Sequence, residues 1–253
     1  MTDLRIGTWN VQYARGVDKN QARLDHLTSL DADVWVLTET HDELDLSSTH
    51  TAVSTEDRYV TPGGRWTTVW TSLPVLERLP VGDPRRCVAV RLGAGRAGEL
   101  VVYGAVLPWN GDAGPDPSRP ARGWDEFYRV VPEQGREWAS LRDRYPDATL
   151  VVAGDLNHDL GGPHYYGTRA GRALLREHLD AAGLDCLTAT DRFEPGILEH
   201  PPIDHVCAGP AHGRSLTSTA DGWDKVIRGV RLSDHGGTLV SLGVHSERPG
   251  RSH

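Results

Sequence analysis

Only two of the 27 basic residues are lysines, Lys19 and Lys225, and the net charge is −8. A protein that holds nucleic acid by bulk attraction presents a basic face, so that mode of binding is disfavoured here. An enzyme with local arginines is not excluded. Arginine suits forked phosphate contacts, although a GC-rich coding sequence produces the same bias. Three cysteines, Cys87, Cys186 and Cys207, are too few and too scattered for a disulfide framework or a metal finger. They read as reduced core residues of a cytoplasmic protein. No stretch approaches the roughly 20 apolar residues of a membrane-spanning helix. The start Met1-Thr2-Asp3-Leu4-Arg5 lacks a basic region followed by an apolar run, so no secretory signal is expected. No repeat or low-complexity tract is present, and 38% hydrophobic with 25% charged residues is the composition of a folded chain. A chain of 253 residues builds a substantial core without staples.

What is present alternates between strand-like and helical patterns. Runs rich in Val, Leu, Thr and Trp, bounded by Gly, Pro and Asp, predict strands over Leu4–Val11, Val34–Thr38, Trp66–Thr71, Cys87–Leu92, Leu100–Leu107, Thr149–Ala153, Asp204–Ala208 and Gly237–Leu242. Helical periodicity predicts helices over Asn20–Leu30, Glu133–Tyr145 and Thr168–Ala182, the last stopped by Gly183. Residues 110–123, dense in Gly, Pro and Asp, read as a mobile surface loop. No linker divides the chain, so one domain is expected over residues 1–246, with a frayed tail at 247–253.

The apolar runs end in side chains that strands rarely carry. Ile6-Gly7-Thr8-Trp9-Asn10 stops at Asn10, and Val34-Trp35-Val36-Leu37-Thr38-Glu39 stops at Glu39. Leu150-Val151-Val152-Ala153-Gly154-Asp155-Leu156-Asn157 stops at an acid and an amide two apart, a spacing that points both to one side of an extended strand end. Asp204-His205 and Asp234-His235 flank strands near the C-terminus. Each alone reads more readily as a turn or a solvated strand exit. Together they suit a hard divalent cation such as Mg²⁺, which takes oxygen ligands from one or two carboxylates and keeps several waters.

In order along the chain, Trp9-Asn10-Val11, Thr38-Glu39-Thr40, Gly154-Asp155-Leu156-Asn157, Ile203-Asp204-His205 and Ser233-Asp234-His235 resemble the successive motifs of the endonuclease/exonuclease/phosphatase superfamily. The resemblance runs from about residue 4 to residue 243. It implies an α/β four-layer sandwich, two mixed β-sheets packed face to face with helices outside, and a site at the strand ends. It implies a metal-dependent phosphoesterase in which Mg²⁺ or Mn²⁺ is held by Glu39, with Asn10 and Asp234 completing its environment. By the same resemblance Asp155 orients or deprotonates the attacking water, Asn157 donates to the phosphoryl oxygens, and His235 contacts the scissile phosphate while Asp204 orients it. His205 reads as a packing residue.

Two positions depart from the family pattern. Gln12 stands where some members carry an acid, which makes a second strong metal site doubtful. Val106 and Leu107 stand where a strand usually ends in a catalytic histidine or tyrosine, and neither transfers a proton. Trp109 and Asn110 follow at the same rim as candidate substrate contacts. His158, next to Asn157, is another. The loop beyond it carries Tyr165, Tyr166 and Arg169, which could stack a base and pair a phosphate, or could equally be a loop anchored by buried tyrosines before a helix capped at Thr168. The expected substrate is a phosphate ester, most readily a phosphodiester in DNA or RNA. The alternative is a small phosphorylated metabolite, favoured by the acidic charge, and the third reading is a non-catalytic phosphate-binding protein. No membrane or protein partner is indicated.

Overall fold

The computed structural model describes residues 3–58 and 61–246; the tail expected to fray lies outside them. The chain runs β1 (Leu4–Asn10), α1 (Val17–Ser29), β2 (Val34–His41), β3 (Thr51–Ser54), β4 (Asp57–Arg58), β5 (Thr61–Thr71) and β6 (Val75–Leu79). It continues through β7 (Cys87–Gly93), β8 (Glu99–Val106), α2 (Asp125–Arg144), β9 (Ala148–Asp155) and α3 (Arg169–Ala181). The last strands are β10 (Asp185–Cys186), β11 (Asp204–Gly209), β12 (Arg214–Trp223), β13 (Val226–Ile227), β14 (Val230–Arg231) and β15 (Gly237–Ser246).

Two mixed sheets hold the major strands. The first has the order β12-β15-β1-β2-β5-β3, with β4 paired to β5; the second has the order β10-β11-β9-β8-β7-β6. Strands buried on both faces need no apolar–polar alternation, and β2 shows why. Its side chains alternate sides, so Val34 and Val36 enter the core between the sheets while Trp35 and Leu37 enter a second core beneath α1. In the other sheet Leu100 and Val102 of β8 face the inter-sheet core, and Val101 and Tyr103 face α2 and α3. The result is the expected four-layer α/β sandwich: helix, sheet, sheet, helices.

Two expectations fail for identifiable reasons. Helix α2 starts at Asp125, well before Glu133, and carries Pro132 inside it. A mid-helix proline costs about 3 kcal/mol, but Phe127, Val130 and Val131 are buried against the second sheet, and each such side chain contributes roughly 1.5–3 kcal/mol. Strand β12 was not expected at all. It is an edge strand with alternating exposure, paired to β15 along its length, and its Ser- and Thr-rich sequence holds no apolar run. The segment 110–123 is irregular but not loose at its base. Asp112 is buried there and takes both guanidinium nitrogens of Arg86, and Gly111 N–H donates to the Gly123 carbonyl at 2.7 Å.

Candidate active site

The polar strand ends converge because of the pairing pattern. β1 and β2 are parallel, with Asn10 beside Thr38, so Asn10 and Glu39 leave the first sheet at one end. β9 and β11 are antiparallel, with Asp155 directly opposite Asp204, which brings two carboxylates to the same end of the second sheet. The turn before β15 brings in His235. Ser233 sets its position: its hydroxyl donates to the Asn10 carbonyl at 2.6 Å and accepts the His235 N–H at 3.1 Å. Trp9 Nε1 donates to the His235 carbonyl at 3.1 Å.

His235 and Asp204 form a close pair, with Nδ1–H donating to Asp204 Oδ2 at 2.6 Å. Burial alone would lower the imidazole pKa, but the charges of Asp204 and Asp155 outweigh it and hold the group at about 10. Its Nε2 has no protein partner among the described residues and faces outward as a donor. Asp155 is buried. Its Oδ1 accepts the Asn157 N–H at 3.0 Å and its Oδ2 accepts Asn10 Nδ2–H at 3.1 Å. Burial, reinforced by the charge of Asp204, pushes its carboxyl up to about 7. The site therefore holds an imidazolium and a carboxyl that ionises near neutrality, a pairing suited to proton transfer.

Val106 and Leu107 are buried and serve through the backbone. The Leu107 carbonyl accepts Asn157 Nδ2–H at 2.8 Å, and the Leu107 N–H donates to the Asp155 carbonyl at 2.9 Å. Leu107 thus clamps the Asp155–Asn157 turn through its backbone. One Asn157 amide N–H is committed to that backbone. Asn157 holds a left-handed conformation, φ 53°, the kind of backbone strain that collects at functional sites.

Glu39 also has a positive φ, 49°. Burial raises its pKa most, against a hydrogen bond from Asn10 and the charges of Arg58 and His235, and the charge of Asp234 raises it further. A desolvated carboxylate beside a second, exposed one is a donor set that fits a hard divalent cation. Asn10 contributes differently from expectation. Its Nδ2–H donates to Asp155 Oδ2 at 3.1 Å and its Oδ1 already accepts the Gln12 N–H at 3.0 Å. Asp155, Asp204 and His235 also bring three possible ligand atoms within 4.8 Å of one another. His235 Nδ1 is hydrogen-bonded to Asp204 and the Asp155 oxygens to Asn157 and Asn10, while Asp204 Oδ1 is buried without a partner among the described residues, so this cluster and the Glu39–Asp234 pair both offer oxygen donors to a cation.

The expected substrate residues divide. Tyr166 lies at the cleft with Asn157, Asp204 and His235, and burial together with the Asp155 charge raises its phenol pKa. Tyr165 is half exposed and stacks on His200, ring centroids 4.9 Å apart. Trp109 packs on Trp66 at 5.4 Å, and Asn110 is exposed beside it. Arg169 lies on the exposed first turn of α3 and is not among the residues lining the cleft. His158 corrects the expectation: it is fully buried, its Nε2 accepts the Thr168 N–H at 3.0 Å, and its ring lies 4.0 Å from that of Phe127. It is a core residue that cannot reach a substrate. His205 packs as expected, its Nε2 3.0 Å from the His158 carbonyl. Asp159, which no motif singled out, anchors the loop by accepting the Tyr166 N–H at 2.8 Å and pairing with Arg172 and His164.

Burial pushes the His158 pKa down to about 4. Its unfolded state therefore takes up a proton first as pH falls, and stability decreases from pH 6.5 to 4 by on the order of 3 kcal/mol. Urea unfolding of wild type and His158→Gln across that window is expected to show a steeper pH slope for wild type. Parallel slopes would mean that His158 charges in the fold.

The model of the Endonuclease/Exonuclease/phosphatase family matches residues 7–235. No curated protein matches the chain by sequence. Among solved structures, the chain is similar to a 3'-5' exonuclease (NExo) from Neisseria meningitidis, with TM-score 0.65, 15% identity, and 94% of this chain and 99% of that one covered. It is similar to D. rerio TDP2 complexed with single-strand DNA product, with TM-score 0.61, 16% identity, and coverage of 96% and 100%. It is also similar to the endonuclease domain of TRAS1, a telomere-specific non-LTR retrotransposon, with TM-score 0.59, 15% identity, and coverage of 95% and 98%. At these identities the structural likeness establishes the fold, and the family match spans the site: the chain belongs to the Endonuclease/Exonuclease/phosphatase family.

Proposed function

We propose that this protein is a divalent-metal-dependent phosphodiesterase that hydrolyses nucleic acid by in-line attack of water. The observation that carries this reading is the juxtaposition of buried Asp155 with the Asp204–His235 pair. Asp155 accepts a proton from the attacking water. His235 Nε2, charged throughout the neutral range, donates to a non-bridging phosphate oxygen, and Asp204 fixes its ring. The free N–H of Asn157 donates to another. Glu39 and Asp234 would hold Mg²⁺ or Mn²⁺, which when bound supplies Lewis-acid stabilisation of the phosphoryl charge. Tyr166 is a hydroxyl lining this cleft beside Asn157 and His235, and it is the candidate to hydrogen-bond the leaving oxygen in place of a residue at Val106 or Leu107. The structural likeness to a protein described as a 3'-5' exonuclease and to TDP2 complexed with single-strand DNA product supports a nucleic-acid substrate. The small cleft beside His235, about 230 Å³, and the net charge of −8 favour a second reading, a small phosphorylated metabolite.

Product release from a fluorescent oligonucleotide and from a panel of phosphorylated metabolites, titrated with Mg²⁺ and Mn²⁺, separates the two. Oligonucleotide cleavage is expected. Glu39→Gln is expected to shift the half-saturating metal concentration upward by tenfold or more, since it removes the charge of the main ligand. Turnover of a metabolite with silence on oligonucleotide would transfer the assignment to the second reading.

A further inference from the structure

The catalytic groups are flanked at both ends by packed aromatic rings, a tilted pair at one end and a stacked pair at the other, each accompanied by a cation. In the first sheet the strand order β15-β1-β2-β5 sets out His235, Asn10, Glu39 and then Trp66. In the facing sheet the order β11-β9-β8-β7 sets out Asp204, Asp155, the segment leading to Trp109, and then Arg86. The sheets face each other in the same sense, β1 over β9 and β11, β5 over β7 and β8. A line drawn across the strand ends therefore begins near His235, passes Asp155 and Glu39, and finishes at Trp66 and Trp109.

At the Glu39 end the Trp66 and Trp109 rings are 5.4 Å apart. Arg58 extends the stack: its guanidinium lies 3.7 Å from the Trp66 ring centroid and 4.5 Å from that of Tyr13. Tyr13 is itself partly exposed and sits in a run of three positive-φ residues, Gln12, Tyr13 and Ala14. Arg58 therefore packs against two rings, and its N–H groups are what it has to offer an acceptor. It makes no ion pair among the described residues, and its Nη1 is buried without a hydrogen-bond partner there. A planar cation held this way is set to take a phosphate. At the other end, Tyr165 and His200 are stacked at 4.9 Å with 15° between the ring planes. They share the cleft with Asp204, His235 and Lys225, one of the two lysines in the chain.

We infer that these two stacks are nucleobase platforms, and that the protein takes an internal phosphodiester of a single-stranded polynucleotide with an unpaired base on each side and the neighbouring phosphate on Arg58. A base stacked on Trp109 or on Tyr165 cannot remain in a duplex stack, so the arrangement selects single strands. Stacking tolerates any base, because every base has a π-face, so little sequence preference follows. This inference rests on the phosphodiesterase reading above.

The test compares three substrates of equal length: a single-stranded oligonucleotide, its duplex, and an oligomer of tetrahydrofuran abasic units. Wild type is expected to have its highest kcat/KM on the single strand. Trp109→Ala and Tyr165→Ala, both at exposed or half-exposed positions, are each expected to lower kcat/KM for the single strand roughly tenfold more than for the abasic oligomer. Arg58→Gln is expected to reduce the salt dependence of oligonucleotide affinity by about one phosphate contact. If wild type cleaves DNA but the variants lose activity equally on all substrates, or the duplex is preferred, the platforms are overturned and the phosphodiesterase reading stands. If wild type cleaves none of the three, that reading fails, and fluorescence anisotropy with an oligo-dT probe decides the platforms on their own. Binding weakened about tenfold by Trp109→Ala supports them, and the absence of binding overturns them.

Discussion

Asp155→Asn is expected to lower kcat by about 10²- to 10⁴-fold, the range assigned to a positioned general base. The substitution keeps the shape but removes the negative charge and with it the capacity to accept a proton from water. It also disturbs its surroundings in a defined way. Both Asp155 oxygens accept hydrogen bonds, from Asn157 N–H and from Asn10 Nδ2–H; an amide in the same place turns its own donor toward one of them. A stability loss of about 1–3 kcal/mol follows from the mismatched donor, so the fold is to be checked by urea unfolding alongside the kinetics. A third consequence separates a catalytic role from a structural one. The Asp155 charge helps to hold His235 at about 10, so the variant is expected to shift the His235 titration downward, as read from its ring proton resonances. A variant that retains wild-type kcat would remove Asp155 from the chemistry.

Gly154→Ala is expected to be at least as damaging, by a different route. Gly154 has φ 135°, a conformation that side-chain-bearing residues rarely adopt, and a Cβ there would lie 2.0 Å from the Ala105 carbonyl oxygen. That oxygen belongs to β8, which pairs in parallel with β9 at Ala105 and Gly154. Relief requires β9 to move away from β8 just before Asp155, at the point where Leu107 clamps the catalytic turn. The backbone strain alone is worth about 1–3 kcal/mol, and the overlap adds to it. Most of the variant is expected to be insoluble, and any soluble fraction to unfold at markedly lower urea and to be inactive. An alanine variant that unfolds with the wild-type midpoint would show that the approach of β8 to β9 is looser than described.

The strand ends were legible in the sequence because chemistry interrupts burial there. Asn10, Glu39 and Asp155 each close an apolar run and Asp204 opens one, and the structure gathers them at one end of the two sheets. The interior strands were legible because their apolar runs serve two cores at once. Residues whose role depends on packing were less visible. His158 follows Asn157 directly, but burial at Leu156 and rotation of the chain at Asn157 turn it into the core against Phe127. Arg58 and Trp66 carry no motif, since their significance comes from a guanidinium packed on Tyr13 and Trp66 and from Trp109 packed on Trp66, contacts between segments distant in the sequence. Strand β12 was hidden because an edge strand buries little and needs no apolar run. Pro132 misplaced the start of α2 because local propensity gave way to tertiary burial.

The most direct test of the proposed chemistry is cleavage of a 5'-labelled single-stranded oligonucleotide by wild type and Asp155→Asn side by side, with Mg²⁺ and with EDTA. Cleavage by wild type in Mg²⁺, abolished by EDTA and reduced at least a hundredfold in Asp155→Asn, is the expected result. Cleavage that persists in EDTA, or at equal rate in the variant, would contradict a metal-assisted attack by water activated at Asp155.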